Sequence, residues 1–356
     1  MSAGLRATRR SAPAICLGLY LAAAVMPGVA RAEASRAPTT AFAVAASDFL
    51  ARFVTAEGRV VDDYNGAVSH SEGQGYGMLV AALTGDRAVF DRIWSWTRRI
   101  LLIRADGLAA WRWVPNTSPP IADQNNATDG DLLIAWALIE AQERWPGSYG
   151  QEGLKLAQSV AKGMVFERSG RTLLRPAAAG FNAAERQDAP VVNLSYWVFP
   201  ALLRLSQVDP AGPWAGLIKS GLELIDSSRF GPSGLPSDWI SIKAEPAPSA
   251  HEPARFGYDA VRIPLYLIWA FPEERLRAGR LAGFIRDGEP QVIDLPSGRP
   301  TGSFGGSGFK MLASLLRCEP ARAMPHEKTL SSDFYYPAII GVLSLYAESL
   351  QPACQG

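Results

Sequence analysis

Ser71-Glu72-Gly73-Gln74-Gly75-Tyr76-Gly77-Met78 runs directly into the apolar segment Leu79-Val80-Ala81-Ala82-Leu83. Ser71 followed three residues later by Gln74 has the pattern of a capping box, so a helix is expected to start here. Glu72 then lies in the first turn, at the positive end of the helix dipole. Gly73, Gly75 and Gly77 each cost a helix roughly 1 kcal/mol relative to alanine. A cap does not need them; close approach of another backbone, or of a ligand, does. The stretch is therefore either an ordinary capped helix with a solvated glutamate or a helix that begins at a site.

Around this stretch, the 356-residue chain is nearly balanced in charge, with 35 basic and 34 acidic residues. That balance argues against a nucleic-acid partner, which needs a basic patch, and against an anionic membrane surface. The N-terminus has the form of an export signal. Arg6, Arg9 and Arg10 precede an apolar run at 14–29, and Ala30-Arg31-Ala32 fits a small-x-small cleavage site. A retained anchor is the rival, but the run contains Pro27 and Gly28 and is shorter than the roughly 20 residues a spanning helix needs. The expected organisation is a cleaved signal at 1–32, a loose leader at 33–46 and one domain at 47–356, periplasmic or secreted and not inserted in the membrane.

Cys16 leaves with the signal, and Cys318 and Cys354 either pair in an oxidising compartment or stay as buried thiols. His70, His251 and His326 have no metal-ligand spacing, and no phosphate-cradling glycine loop follows a strand. Neither metal nor cofactor is expected. Gly305-Gly306-Ser307-Gly308-Phe309 fails the nucleophile-elbow pattern at its last position.

Beyond residue 46, apolar residues recur at helical spacing in segment after segment, separated by Gly-, Pro- and Asn-rich connections at 104–130, 170–193, 228–258 and 286–308. Only short pieces near 59–61 and 110–114 are strand-like. Segments 89–101 and 276–284 are amphipathic, whereas 132–141 and 338–346 are apolar all round. Two concentric layers of helices produce that contrast. Long connections in a compact domain are usually functional.

The pattern around Glu72 has an echo. Thr128-Asp129-Gly130-Asp131 repeats the order of hydroxyl cap, carboxylate, glycine and polar residue before an apolar helix, and Ser332-Asp333 is a weaker third copy. If alternate helices of a ring start at one end, these first turns face a common cavity. Asp259 lies just ahead of a helix expected to begin near Ile263 or Pro264, with Arg262 three residues on. That pair is either a surface ion pair or a carboxylate held ionised at a site. Paired acids suit glycoside hydrolysis, in which one carboxyl gives a proton and the other activates water or attacks carbon. For Glu72 as the acid, burial or a neighbouring carboxylate must outweigh the helix dipole. Trp111-Arg112-Trp113 in an extended piece puts both indoles on one face, for sugar binding or for packing.

These motifs together resemble glycoside hydrolase family 8. Residues 71–78 are similar to that family's acid-bearing motif. Ala127-Thr128-Asp129-Gly130-Asp131, with Ile134-Ala135, Ala137-Leu138, Ala141 and Trp145, is similar to its signature. Tyr258-Asp259-Ala260 with Arg262 resembles a third motif, and Asn193-Leu194-Ser195-Tyr196 a fourth, with Leu194 where proline is common. The resemblance implies an all-α (α/α)6 barrel with long loops forming a cleft at one end, and an inverting mechanism without cofactor. Glu72 would be the general acid, Asp259 the general base and Asp129 the residue that binds the sugar at the cleavage point. Tyr196 would position the water and Arg262 would orient Asp259. Gln74, Tyr76, Trp111 and Trp113 are expected to contact substrate. The substrate implied is a β-1,4-glucan, with chitosan or xylan as alternatives on the same scaffold, or a glucan bound without catalysis. Exported members of this kind accompany bacterial cellulose synthesis, so a monomer associated with a cellulose synthase complex is implied.

Overall fold

The structure, a computed structural model, describes residues 39–318 and 330–351. The expected export signal lies outside the described residues. Helix α1 (Thr40–Phe53) begins inside the segment expected as loose leader. The Thr39 hydroxyl caps it, accepting from the Phe42 N–H at 3.3 Å. Phe42, Ala45, Ala46, Phe49 and Phe53 form one buried face. Residues 40–46 are thus helix, and the expected leader is corrected there. Alanine carries the pattern in those turns, and it is the best helix former while adding little apparent hydrophobicity.

The helices that follow are α2 (Ser71–Thr84), α3 (Arg87–Ile100), α4 (Thr128–Arg144), α5 (Tyr149–Gly163), α6 (Phe199–Val208) and α7 (Trp214–Ser227). After them come α8 (Arg262–Ala270), α9 (Arg275–Arg280), α10 (Ser307–Arg317) and α11 (Tyr335–Ser349). They are of the two kinds the sequence implies. α8 is buried along its whole length, and α2 is buried from Gly73 to Leu83. α3, α5 and α7 bury one face only. α2 packs on α4, α4 on α6, α6 on α8, and α8 on α11, while α1 joins α11 back to α2. α3, α5, α7, α9 and α10 each cover the neighbouring buried helix. This is an all-α (α/α)6 barrel. No helix among the described residues is long and apolar enough to cross a membrane. Cys318, just after α10, is disulfide-bonded, and Cys354 lies outside the described residues.

Two glycines set the distance between α2 and α4. A Cβ on Gly75 would stand 2.5 Å from the Leu133 Cβ, and one on Gly130 would stand 2.1 Å from the Ser71 Oγ. Close backbone approach is therefore what the glycines of the opening stretch serve, and it brings two helix N-termini side by side.

The connections carry more strand than their composition implies. Ser69–His70 pairs antiparallel with Arg112–Trp113, in register Ser69 to Trp113, and so fixes the chain's entry into α2. Glu289–Asp294 pairs with Arg299–Ser303 and with Arg255–Phe256. The last sheet joins the expected loops 228–258 and 286–308. Its strands are short and carry Pro290 and Pro300, so no alternation stands out from the surrounding turn residues.

Candidate active site

At the start of α2, His70 rather than Ser71 is the cap. Its Nδ1 accepts from the Gly73 N–H at 3.2 Å, and its Nε2 lies 3.2 Å from Asp62 Oδ2. Gln74 turns into the core, accepting from the Val60 N–H at 2.6 Å and donating to Thr97 Oγ1 at 2.8 Å. The expected capping box is therefore absent. Gln74 is fully buried with its amide occupied, so the substrate contact expected of it is corrected to a structural role. Tyr76 is corrected likewise: it is fully buried, with its hydroxyl on that of Tyr266. Glu72 alone in this turn reaches outward, its side chain 19% exposed.

The echo motif resolves in the same way. Ala127 stands at the cap position of α4, and the Thr128 hydroxyl donates to the Arg175 carbonyl at 2.7 Å instead of capping. Asp131 accepts from the Ala109 N–H at 2.8 Å and from the Asn126 amide at 2.9 Å. Burial pushes its carboxyl up to about 7 against those donors. Asp129 faces the site. The third copy is a helix cap: Asp333 accepts from the Ser307 and Gly308 N–H groups at 2.8 and 2.9 Å.

Asp259 sits in the turn ahead of α8, and Arg262 is the first residue of that helix. Arg262 is 2% exposed, so the surface ion pair is excluded. Its Nη1 donates to Glu72 Oε1 and, at 2.9 Å, to Asp129 Oδ2. Its Nη2 donates to Asp259 Oδ1 at 2.9 Å and to Ser195 Oγ at 2.8 Å. One guanidinium thus gathers three carboxylates from three remote parts of the chain, where a role toward Asp259 alone was expected. Ser195, part of the fourth motif but with no role expected of it there, comes from the turn Leu194–Tyr196, which Asn193 caps. The Tyr196 ring lies 5.7 Å from the guanidinium.

With one cation among three carboxylates, like charges oppose full ionisation. Burial, and then the Glu72 charge, push Asp129 up to about 6 against Arg262. Burial pushes Asp259 up to about 7, opposed by Arg262 and reinforced by Asp238, Asp129 and Glu72. Burial also raises the Tyr196 phenol well above its ordinary range, helped by Asp129 and Asp259. Asp129 and Asp259 are thus both held above the ordinary carboxylate range, as an interacting pair beside one cation.

Glu72, Asp259 and Arg262 open into a cleft of about 690 Å³. Tyr64, Tyr258 and Phe334 also line it and are 71%, 43% and 51% exposed. The Tyr64 and Phe334 rings meet edge to face at 5.2 Å. Tyr258 stands in the third motif without a role assigned to it, and Tyr64 and Phe334 carry no signal because they lie in short turns rather than in a tryptophan-rich segment. Trp111 and Trp113 are not among the residues lining this cleft. The Trp113 face is taken by the Arg59 guanidinium at 4.9 Å and its ring packs against Trp96. Trp111 donates to Asp123 Oδ2 at 2.8 Å and lies under the Arg112 guanidinium. Both indoles are half-buried and lie beside, not on, the wall of this cleft. Trp239 stacks on Phe181 at 5.1 Å and touches Tyr196 by its edge.

Residues 21–290 match the model of glycosyl hydrolases family 8. An endoglucanase of Cellulomonas uda is 40% identical over 65% of this chain, which spans 64% of that relative's length, just under two thirds. A probable endoglucanase of Novacetimonas hansenii is 37% identical over 85% of this chain and 89% of its own. Among solved structures, the family 8 endoglucanase of Klebsiella pneumoniae aligns with a TM-score of 0.79 at 34% identity, covering 86% of this chain and 99% of that one. Carboxylates at three helix starts, drawn onto one buried arginine at the mouth of an all-α barrel, agree with these similarities, and the chain belongs to glycoside hydrolase family 8.

Proposed function

We propose that this protein is an endo-acting hydrolase of β-1,4-glucan that inverts the configuration at the cleaved carbon. Glu72 gives its proton to the leaving glycosidic oxygen. Asp259 takes a proton from water, and that water attacks the anomeric carbon from the opposite face. Asp129 and Tyr196 hold the sugar and the water at the cleavage point. The observation that carries this reading is the Arg262 cluster at the floor of an open cleft. Glu72 and Asp259 are held by different nitrogens of one guanidinium. Their nearest oxygens are then at most two hydrogen-bond lengths plus one guanidinium width apart, roughly 8 Å. That span accommodates the roughly 6.5–9.5 Å carboxyl separation of inverting enzymes. The endoglucanase names of the relatives and the exposed aromatic rings along the cleft support a glucan chain as substrate.

The same reading makes residues 1–32 an export signal and the mature protein a periplasmic or secreted monomer with one catalytic domain, acting beside a cellulose synthase complex. Assay of one purified sample on carboxymethyl-cellulose, chitosan and xylan tests the substrate, and NMR of the first-formed anomer tests inversion. New reducing ends from carboxymethyl-cellulose, first appearing as the α-anomer, are expected. Turnover of chitosan or xylan alone overturns the glucan assignment, and binding without new ends overturns catalysis.

A further inference from the structure

The turn that carries Asp259 is folded around a second carboxylate that the sequence motifs do not include. Asp238 is 3% exposed. Its Oδ1 accepts from the Gly257 N–H at 2.8 Å and from the Ala260 N–H at 2.9 Å, the residues on either side of the Tyr258-Asp259 pair. Its Oδ2 accepts from Arg255 Nε at 3.1 Å. A Cβ on Gly257 would stand 2.4 Å from that Oδ2, so the backbone passes Asp238 at a distance only glycine allows. The 257–260 turn is closed on its own side by the Val261 N–H donating to the Gly257 carbonyl at 3.1 Å. All three partners of Asp238 are donors, which is the environment of an ionised carboxylate. Burial raises its carboxyl, and the two backbone donors and Arg255 pull it back.

We propose that Asp238 is a positioning residue for the reaction, acting through Asp259: it shapes the turn that aims the Asp259 carboxylate and sets a fixed negative charge beside it. This rests on the reading of Asp259 as the base. The groups facing Asp259 are Arg262, Asp238, Asp129 and Glu72, with Tyr196 and Tyr336 beside them. Arg262 favours the ionised base, whereas Asp238, Asp129 and Glu72 oppose it. Asp238 differs from the others in standing outside the Arg262 cluster, bonded to the backbone of the turn and to Arg255. Its effect is therefore separable.

Asp238→Asn keeps an oxygen for the Gly257 and Ala260 N–H groups and removes the charge. In the full-length protein, the acid limb of the kcat/KM–pH profile is expected to move to lower pH by about half a unit to one unit, with less than a tenfold loss at the optimum. Asp238→Ala removes the acceptor as well, and kcat is expected to fall by at least ~10² with KM changed less than threefold. An unmoved acid limb in the Asn variant, or wild-type kcat in the Ala variant, overturns the proposal. Should neither variant fold, Asp238→Ser decides: it keeps a small acceptor and removes the charge, so the limb is again expected at lower pH, and an unmoved limb overturns the proposal. Asp259→Asn is measured alongside: wild-type activity there removes the base itself, a failure distinct from that of Asp238.

Discussion

Gly130 of α4 lies against Glu72 of α2 so closely that a Cβ on it would stand 2.7 Å from the Glu72 backbone nitrogen. The same Cβ would meet Ser71 Oγ at 2.1 Å. Gly130→Ala therefore forces the two helix starts apart. A loss of stability of about 2–4 kcal/mol, by chemical denaturation, is expected, together with at least a tenfold loss of activity as Glu72 moves away from Arg262. A variant with unchanged Tm and rate would mean that the two helices are free to separate without disturbing the acids.

Arg262 is the only cation bonded to the cluster among the described residues, and its removal leaves buried carboxylates facing one another. Arg262→Ala is expected to destabilise the protein by about 3–5 kcal/mol at pH 8. The sign of its pH dependence follows from the raised Asp129 and Asp259, at about 6 and about 7. Below these values the carboxyls take up protons and the repulsion disappears. The difference from wild type should shrink as pH falls from 8 to 5, and thermal melts across that range check it.

Asp259 has a linkage of its own. Its folded-state value, about 7, lies above the ordinary 3.8. The folded state then binds more protons than the unfolded state between these limits. That contribution to stability is complete near pH 4 and is lost as pH rises through about 7. Asp259→Asn removes the loss, because the amide stays neutral and its oxygen still accepts from Arg262. The variant should match wild type at pH 4 and exceed it at pH 8, by on the order of 1–2 kcal/mol for a carboxyl still 29% exposed. Equal melting temperatures throughout would contradict the raised value.

Tyr64 and Phe334 offer open ring surface in the cleft and bury little. Tyr64→Ala is expected to raise KM on long soluble glucan about fivefold to tenfold, roughly 1–1.4 kcal/mol, with kcat changed less than threefold and Tm within 2 °C. A fall in kcat at constant KM would place the ring at the reacting bond instead.

The barrel was legible in the sequence because buried and one-faced helices alternate, a contrast that survives in the periodicity of 132–141 against 89–101. Glu72, Asp129 and Asp259 were legible because each stands in a distinctive local pattern at a helix start. What those patterns meant locally was less so. Ser71 with Gln74, and Thr128, have the look of caps, yet His70 caps α2 and Thr128 bonds to the Arg175 carbonyl. Partners as distant in the chain as Gln74 and Thr97, or Arg262 and Glu72, leave no trace in local spacing. The indoles of Trp111 and Trp113 illustrate the same limit, since alternation does not say which neighbours meet the rings, here Arg112 over Trp111 and Arg59 over Trp113. Asp238 was invisible for a related reason: it serves backbone N–H groups some twenty residues on, and no motif marks it.

The most direct test of the acids acting together is the release of new reducing ends from soluble β-1,4-glucan by Glu72→Gln beside wild type, with Tm measured on both. Gln keeps the shape of the side chain and an oxygen for Arg262, but cannot donate the proton. Turnover should fall by at least ~10² with the fold intact; a folded variant that cleaves at the wild-type rate would contradict the account.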